Sequence, residues 1–381
     1  MTIKVAHLTT VDMSVRHLLL NQMLALKEAG FEVTAISAPG PDLGAVEAAG
    51  IRHLPVSFTR RMSPLSDLRA FGQLLRIFRR ERFTIVHTHQ AKAAMLGQSA
   101  ARAAGVPLVV NTLHGFYFHD RTPALKRKAW IGLERAQALC SDLILSQNPE
   151  DIETAVRAGI CAREKIEYLG NGIDLVRFDP ALVTAPERTR IRASLGIADE
   201  APVVGFVGRL VREKGILELF TAFKRILATQ PDARLLVVGP EDVVKSDAVS
   251  SQTAVEYGIA AQTVFVGYRH DMPALYAAMD VCVLPSHREG FPRSPMEASA
   301  MGVPCVATDI RGCRQVVRPE ENGLLVPVGD AEALGAAIAR ILGDRTLAAR
   351  MGEAGKRMAR ENFDERAVFA RVIAVYRRLC G

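Results

Sequence analysis

The sequence predicts an α/β protein built from two doubly wound parallel-sheet domains. Three observations carry this. Strand-like and helix-like segments alternate almost without exception, the strand-like runs are nearly continuous in apolar residues, and the alternation pauses once, at NGIDLVRFDPALVTAPE (171–187). Continuous apolar runs suit parallel strands covered on both faces, and repeated βα units wind such a sheet. A chain of 381 residues also exceeds one ordinary core, and two domains of about 150–200 residues are the natural division.

The elements follow in order. IKVAHLT (3–9) opens as a strand and leads into a helix from about Ser14, with Val15, Leu19, Met23 and Leu26 on one face. Strands are expected at FEVTAIS (31–37), IVHTH (85–89), PLVVNTLHG (107–115) and DLILSQN (142–148). Beyond the Gly/Pro-interrupted linker come PVVGFVGRL (202–210), ARLLVVGP (233–240), TVFVGYR (263–269), VCVLPS (281–286) and PCVATD (304–309). Three helical segments close the chain, the last over roughly 364–380. The expected domains are 1–180 and 181–363 with a cleft between them, and ligands in such sheets sit beyond the carboxyl ends of the strands.

Composition narrows the class. Apolar content of 49% and charged content of 23% are those of a folded protein. No window approaches the roughly 18 uninterrupted apolar residues of a membrane span. The N-terminal MTIKVAHLTTVDMS enters a strand at once and lacks signal-peptide features, so a cytoplasmic protein is expected. The six cysteines form no C-x-x-C pair and no metal-ligand spacing. Cys282 and Cys305 lie in strand-like runs as small core hydrophobes, and free thiols are expected.

The formal net charge of +7 is uneven: residues 52–82 hold eight arginines and two acids, Asp67 and Glu81, with Phe58, Phe71, Phe78 and Phe83 interleaved. Such a stretch is either a patch that meets an anionic membrane face or nucleic acid, or a solvated basic helix. No zinc-finger, RRM or helix-turn-helix pattern accompanies it, so no nucleic-acid partner is expected.

The unusual residues cluster at strand ends. In GRLVREKG (208–215), Arg209 follows a strand and Lys214-Gly215 opens a helix. Two cations beside a helix N-terminus make an anion site that suits a diphosphate without a metal ion; the alternative is a surface basic pair. Neither G-x-G-x-x-G nor G-x-x-x-x-G-K-[ST] occurs, which disfavours a dinucleotide enzyme and a P-loop NTPase. In PSHREGFPRSPMEA (285–298), Gly290 lets backbone approach a ligand, and Glu289 can accept from sugar hydroxyls. Glu297 either takes two vicinal hydroxyls or completes a capping box with Ser294 as N-cap and Pro295 at the first helical position. In the first half His114 ends one strand beside Gly115, while His87 and His89 end another. A strand-end histidine is either structural or functional, and no third-ligand pattern supports metal ligation.

GRLVREKG, the P-S-x-x-E-G-F-P-x-x-x-x-E stretch and NGID at the linker together resemble glycosyltransferase family 4, retaining enzymes of the GT-B fold with nucleotide-sugar donors. The resemblance spans nearly the whole chain and is strongest over 202–329. It implies two Rossmann-like domains, with 364–381 packing back on the first. It also implies that Arg209 and Lys214 neutralise the donor diphosphate, with a UDP-sugar as the expected donor, and that Glu297 holds the nucleotide ribose. Glu289, with Gly290, Phe291 and Pro292, holds the donor sugar, and His114 contacts that sugar from the first domain. His87, His89 and Lys92 become acceptor-side candidates. Two departures stand out: Thr9-Thr10-Val11-Asp12 replaces the glycine pair of many relatives, and Gln315 stands where relatives often carry glutamate.

Positive charge on the sugar and negative charge on the leaving diphosphate develop together, and the two cations act on the second. With no convincing carboxylate nucleophile in the first half, front-face attack by the acceptor is favoured over double displacement. No metal and no cofactor are expected. The stretches HTHQAKAAMLGQ, NTLHGFYFH and EGFPRSPMEA resemble bacterial enzymes that extend lipid-linked sugars for surface polysaccharides. The expected acceptor is a polyprenyl-diphosphate sugar at the anionic inner membrane face. A soluble or glycerolipid acceptor, or a GT-B epimerase or binding protein without transfer, are the alternatives.

Overall fold

Each strand-like run of the sequence forms a parallel strand in the computed structural model, which describes residues 2–59, 63–119, 122–242, 245 and 247–381. The chain divides into two compact units, Met1–Gly170 with Ala367–Gly381, and Asn171–Arg366. The boundary thus falls at the start of NGID rather than after Pro180. Asn171 Nδ2 donates to the Phe291 carbonyl at 3.1 Å, and Ile173 N donates to Phe363 O at 2.8 Å, so this stretch is bonded into the second unit.

In the first unit the strands are β1 (Lys4–Val11), β2 (Glu32–Ala38), β3 (Arg52–Pro55), β4 (Ile85–His89), β5 (Leu108–Leu113), β6 (Leu143–Ser146) and β7 (Ile166–Tyr168). They form one sheet in the order β3-β2-β1-β4-β5-β6-β7, every pair parallel. The second unit holds β8 (Val203–Val207), β9 (Arg234–Val238), β10 (Thr263–Gly267), β11 (Val281–Leu284), β12 (Cys305–Thr308) and β13 (Gly323–Val326). Their order is β10-β9-β8-β11-β12-β13, again all parallel. Apolar runs do what their continuity implies: Val5, Ala6 and Leu8 of β1 and Val203, Val204 and Phe206 of β8 are all fully enclosed.

Strand order reverses between β1 and β4 in one sheet and between β8 and β11 in the other. At such a switch point the two flanking connections leave in opposite directions and open a crevice at the strands' carboxyl ends. The segments at these ends are Thr9–Ser14 and Gln90 in the first unit, and 208–215 and 285–292 in the second.

Three strands lacked a sequence signal: β3, β7 and β13. All three are edge strands of three or four residues. β3 and β7 fit an edge strand's single neighbour and half-solvated face, which relax the need for a continuous apolar run. β13, by contrast, is apolar and mostly buried, and is short at four residues.

The helix after β1 places Val15, Leu19, Met23 and Leu26 in the core as its periodicity implies, but its first full turn, Val15–Leu19, is a π turn. Such turns recur at functional sites. At the other end of the chain, the helix Glu365–Cys380 buries Val372, Val375 and Tyr376 among Val5, Met23 and Leu26 of the first unit.

The basic stretch 52–82 differs from its sequence reading. Phe58, Phe78 and Phe83 are core residues, with Phe71 packed against them, so the aromatics do not interleave with the charges at the surface. What the helix Pro64–Glu81 exposes instead is Leu65 at 85% and Leu68 at 70%, beside the exposed Arg69 and Arg76. Arg52 and Arg80 pair with Glu81. Arg60 and Arg61 lie outside the described residues. Cys282 and Cys305 are buried register partners on β11 and β12 and carry free thiols. Among the described residues no helix is long and apolar enough to cross a membrane.

Candidate active site

The second unit gathers its charged residues where β8 and β11 end. The chain leaves β8 through Gly208 and Arg209, makes a short 3-10 turn at Arg212–Lys214, and enters the helix Ile216–Leu227 through Gly215. Gly215 has φ of 70°, and a Cβ there would lie 2.0 Å from the Pro285 carbonyl oxygen. This position therefore needs glycine, because the loops after β8 and β11 touch through their backbones.

That contact brings Lys214 to Glu289. Lys214 Nζ donates to Glu289 Oε1 at 2.5 Å, and Ser286 Oγ donates to the same oxygen at 2.7 Å. Both side chains are mostly enclosed, with 21% and 11% exposed. Arg209 is more open and pairs with Asp242, Nη1 to Oδ2 at 2.6 Å. Each cation named from the sequence thus stands beside a carboxylate rather than alone. Around them the loop is braced: Arg288 binds Glu213 at 2.7 Å, His287 binds Glu218 at 2.7 Å, and Thr308 Oγ1 donates to Ser286 O. Gly312 packs so closely that a Cβ would lie 2.6 Å from Glu289 O, which holds the Glu289–Gly290 backbone in place. Gln315 turns back to its own helix, Nε2 to Arg311 O at 3.3 Å.

The capping-box reading of Glu297 is corrected by the structure. The helix is Arg293–Ala300, Pro292 is its N-cap with no side-chain cap, and Glu297 is its fifth residue. Pro292 already holds the extended conformation of a cap, and Pro295 at the third position sacrifices no helical bond, because the first four N–H groups have no partner anyway. Glu297 instead accepts from Tyr276 O–H at 2.9 Å through Oε2, with Arg293 Nε 3.6 Å from Oε1. Burial raises its carboxyl pKa, opposed by Arg293, the Tyr276 hydrogen bond and Arg177.

In the first unit His114 stands just past β5, partly exposed. Its Nδ1 faces Gln147 Oε1 and its Nε2 faces His89 Nδ1, each at 3.2 Å. Burial lowers its pKa to about 4, so the ring is neutral at pH 7. His87 and His89 are corrected as acceptor-side candidates. His87 has no exposed surface and bonds Tyr376 and Thr112, while His89, 2% exposed, lies between His7 and His114. As placed, neither ring offers surface to an acceptor. Lys92 is also largely covered, paired to Asp67 at 2.6 Å at the start of the helix Pro64–Glu81.

Sequence reasoning missed Ser286, Asp242, Tyr276, His7, Tyr376 and Gln90. Ser286 lay within a quoted motif and could have been found. His7 brings a third ring to His87 and His89, their ring nitrogens all within 4.8 Å of one another. Gln90, at the end of β4, holds φ of 69° and ψ of 145°, a region almost confined to glycine, and strain of this kind concentrates at functional sites. Its side chain joins the loop after β1, accepting from Thr10 N at 3.2 Å and donating to Ser14 Oγ at 2.8 Å. The first of these contacts stands in the Thr9-Thr10-Val11-Asp12 segment, where the family resemblance implied a glycine pair.

Comparison with known proteins matches both halves of the chain. Residues 15–177 match Glycosyltransferase Family 4, and residues 187–358 match Glycosyl transferases group 1. The chain is 29% identical to a UDP-Gal:alpha-D-GlcNAc-diphosphoundecaprenol alpha-1,3-galactosyltransferase of Escherichia coli, over 91% of this chain and 89% of that one. It is 32% identical to a GDP-mannose-dependent alpha-mannosyltransferase of Mycobacterium tuberculosis, over 70% of this chain and 68% of the other. In fold it resembles a sucrose-phosphate synthase of Thermosynechococcus elongatus, with a TM-score of 0.83, 24% identity and 99% of each chain covered. Two parallel Rossmann-like sheets, strand-end motifs at both switch points and matches across both halves agree that this chain belongs to glycosyltransferase family 4, with the GT-B fold.

Proposed function

We propose that the enzyme transfers a hexose from a UDP-sugar to a polyprenyl-diphosphate-linked sugar, with retention of configuration and without a metal ion, in the building of a bacterial surface glycan. The observation that carries this reading is the Lys214–Glu289–Ser286 cluster at the end of β8 and β11. It sets a cation for a leaving diphosphate directly against a carboxylate for sugar hydroxyls. Both bonds to Glu289 fall on Oε1, which leaves Oε2 to accept from a ligand.

In this reading Lys214 and Arg209 stabilise the negative charge that grows on the departing diphosphate. Fixed cations aimed at developing charge are an effective form of transition-state stabilisation. A diphosphate reaching Arg209 competes with Asp242, so substrate exchanges one anionic partner for another. Glu289 with Gly290, Phe291 and Pro292 orients the sugar, Glu297 takes the ribose hydroxyls, and His114 contacts the sugar as a neutral imidazole.

The acceptor reading is supported by the similarity to the galactosyltransferase named above and by the surface of the first unit. Leu65 and Leu68 stand beside Arg69 and Arg76, and the helix Ala124–Cys140 opens with Leu125, 82% exposed, beside Lys126 and Lys128. Exposed leucines among cations suit peripheral docking on an anionic leaflet. Purified enzyme incubated with a panel of UDP- and GDP-sugars and a polyprenyl-diphosphate-GlcNAc acceptor tests this by mass spectrometry. One added hexose from a UDP donor is expected. Donor epimerisation or binding without any acceptor product would replace transfer with the alternative function.

A further inference from the structure

Four histidines and a tyrosine of the first unit form an unbroken hydrogen-bonded chain. It runs from Thr112 Oγ1 to His87 Nε2 (2.7 Å), from His87 Nδ1 to Tyr376 O–H (2.5 Å), and from Tyr376 to His7 Nε2 (3.3 Å). It continues from His7 Nδ1 to His89 Nε2 (3.0 Å), from His89 Nδ1 to His114 Nε2 (3.2 Å), and from His114 Nδ1 to Gln147 Oε1 (3.2 Å). Its members come from β1, β4, β5, the segments after β5 and β6, and the C-terminal helix.

A neutral imidazole has one N–H and one bare nitrogen, and here each ring has a neighbour at both. Each must therefore donate on one side and accept on the other. Gln147 Oε1 can only accept, so His114 carries its proton on Nδ1 and accepts at Nε2. His89 must then donate from Nδ1, and His7 likewise. Tyr376 donates to His7 and accepts from His87 Nδ1, and Thr112 donates to His87 Nε2. With Gln147 Oε1 toward His114, one arrangement, Nδ1–H on all four rings, satisfies every bond. Burial reinforces it by opposing a second proton: it lowers His7 to about 3 and His114 to about 4, and drives His87 and His89 well below the usual range. The chain ends on the threonine hydroxyl, so it has no outlet for a proton. It fixes a tautomer rather than conducting.

We propose that His89, His7 and Tyr376 are positioning residues that hold His114 as the neutral Nδ1–H tautomer, its Nε2 tied inward and its Nδ1–H presented to a donor-sugar hydroxyl in exchange for Gln147. This rests on the reading of His114 as a sugar contact. In this arrangement each nitrogen of the three clustered rings has a hydrogen-bonding partner, so a metal ion at this cluster would have to displace one of these bonds.

Nitrogen-15 histidine spectra of the wild-type enzyme at pH 7 test the chain without any substitution. Four neutral rings protonated at Nδ1 are expected; an Nε2–H form of His114, or a zinc ion retained at one per chain, would overturn the proposal. Tyr376→Phe keeps the packed ring and removes the hydroxyl that joins His87 to His7. Gln147 still accepts from His114 Nδ1 in the free variant, so the second His114 tautomer should appear when donor displaces Gln147. There kcat/KM for donor should fall roughly tenfold, the scale of one misdirected hydrogen bond. A single His114 tautomer in the donor-bound variant, or both tautomers with unchanged kinetics, would overturn it. His114→Gln separates the two readings: normal donor kinetics there, with the wild-type spectrum as expected, would remove the sugar contact and leave the chain order intact.

Discussion

Lys214 Nζ donates to Glu289 Oε1 across 2.5 Å, joining the loop after β8 to the loop after β11. The sequence reading gave these residues separate tasks at opposite ends of the transferred bond; the structure gives them to each other. Their substitutions should therefore not be additive. Glu289→Gln leaves Lys214 without its anion, and Lys214→Ala leaves a mostly enclosed carboxylate without its cation. In a double-mutant cycle on kcat, coupling of at least about 1 kcal/mol is expected, the range for residues in direct contact. Additive effects would mean that the pair separates when the donor binds.

Glu297 is enclosed and accepts from Tyr276, with no capping role at its helix start. Glu297→Gln should raise donor KM several-fold with little change in thermal stability, because a charged acceptor makes the stronger hydrogen bonds. Tyr276→Phe should have a smaller effect in the same direction. Unchanged donor KM in Glu297→Gln would remove the ribose from this residue.

The first unit should lose stability in acid. Its four chain histidines have folded pKa values below their unfolded value, to about 3 for His7 and about 4 for His114. The unfolded chain therefore binds more protons below pH 6.5, and stability falls as pH drops from 6.5 toward 4, by at most about 1.4 kcal/mol per pH unit for each ring. Glu134 acts oppositely: burial, then the charge of Asp151, raise it to about 7, so its contribution is lost as pH rises through 7. Thermal unfolding should show a lower Tm at pH 5 than at pH 7. Glu134→Gln should gain relative to wild type between pH 6 and pH 8. A Tm of Glu134→Gln that does not change between pH 5 and pH 7, where the opposing contribution is absent, would contradict the histidine assignment. A Glu134→Gln enzyme that gains nothing over wild type between pH 6 and pH 8 would contradict that of Glu134.

Vesicle co-sedimentation tests the surface of the helix Pro64–Glu81. Replacing Arg76, Arg79 and Arg80 with Gln should weaken binding to anionic vesicles at low salt, where each cation contributes about 1 kcal/mol. Leu65→Ser with Leu68→Ser should weaken the part of the binding that survives high salt. Transfer to a short, water-soluble acceptor should stay near normal in both. Equal, salt-independent binding to neutral and anionic vesicles would leave the arginines as a solvated face.

Much of this was legible in the residues. Continuous apolar runs marked the interior strands, and the motifs at 208–215 and 285–298 fell at the ends of neighbouring strands β8 and β11. The edge strands β3 and β7 left no mark, because solvent relaxes the demand for apolar residues there, while the edge strand β10 was legible in its apolar run. The Ser294-Pro295-Met296-Glu297 pattern satisfied a local rule that the loop before it overrode by starting the helix at Arg293. The partners of the site residues were the least legible. Asp242 faces Arg209 from 33 positions away, and Tyr376 meets His87 from 289 positions away. Only the folded sheet brings such residues together, and an isolated histidine carries no sign of which neighbours fix its proton.

The central claim is that protein cations, with no metal ion, stabilise the leaving diphosphate, and turnover in EDTA tests it most directly. Wild-type enzyme with saturating UDP-sugar should keep its kcat when EDTA is added, while Lys214→Ala should lose roughly 10²–10³, the scale for one charge-stabilising donor. Arg209→Ala should fall in the same direction. Wild-type activity that vanishes in EDTA and returns with Mg²⁺, or a Lys214→Ala enzyme with unchanged kcat, would contradict it.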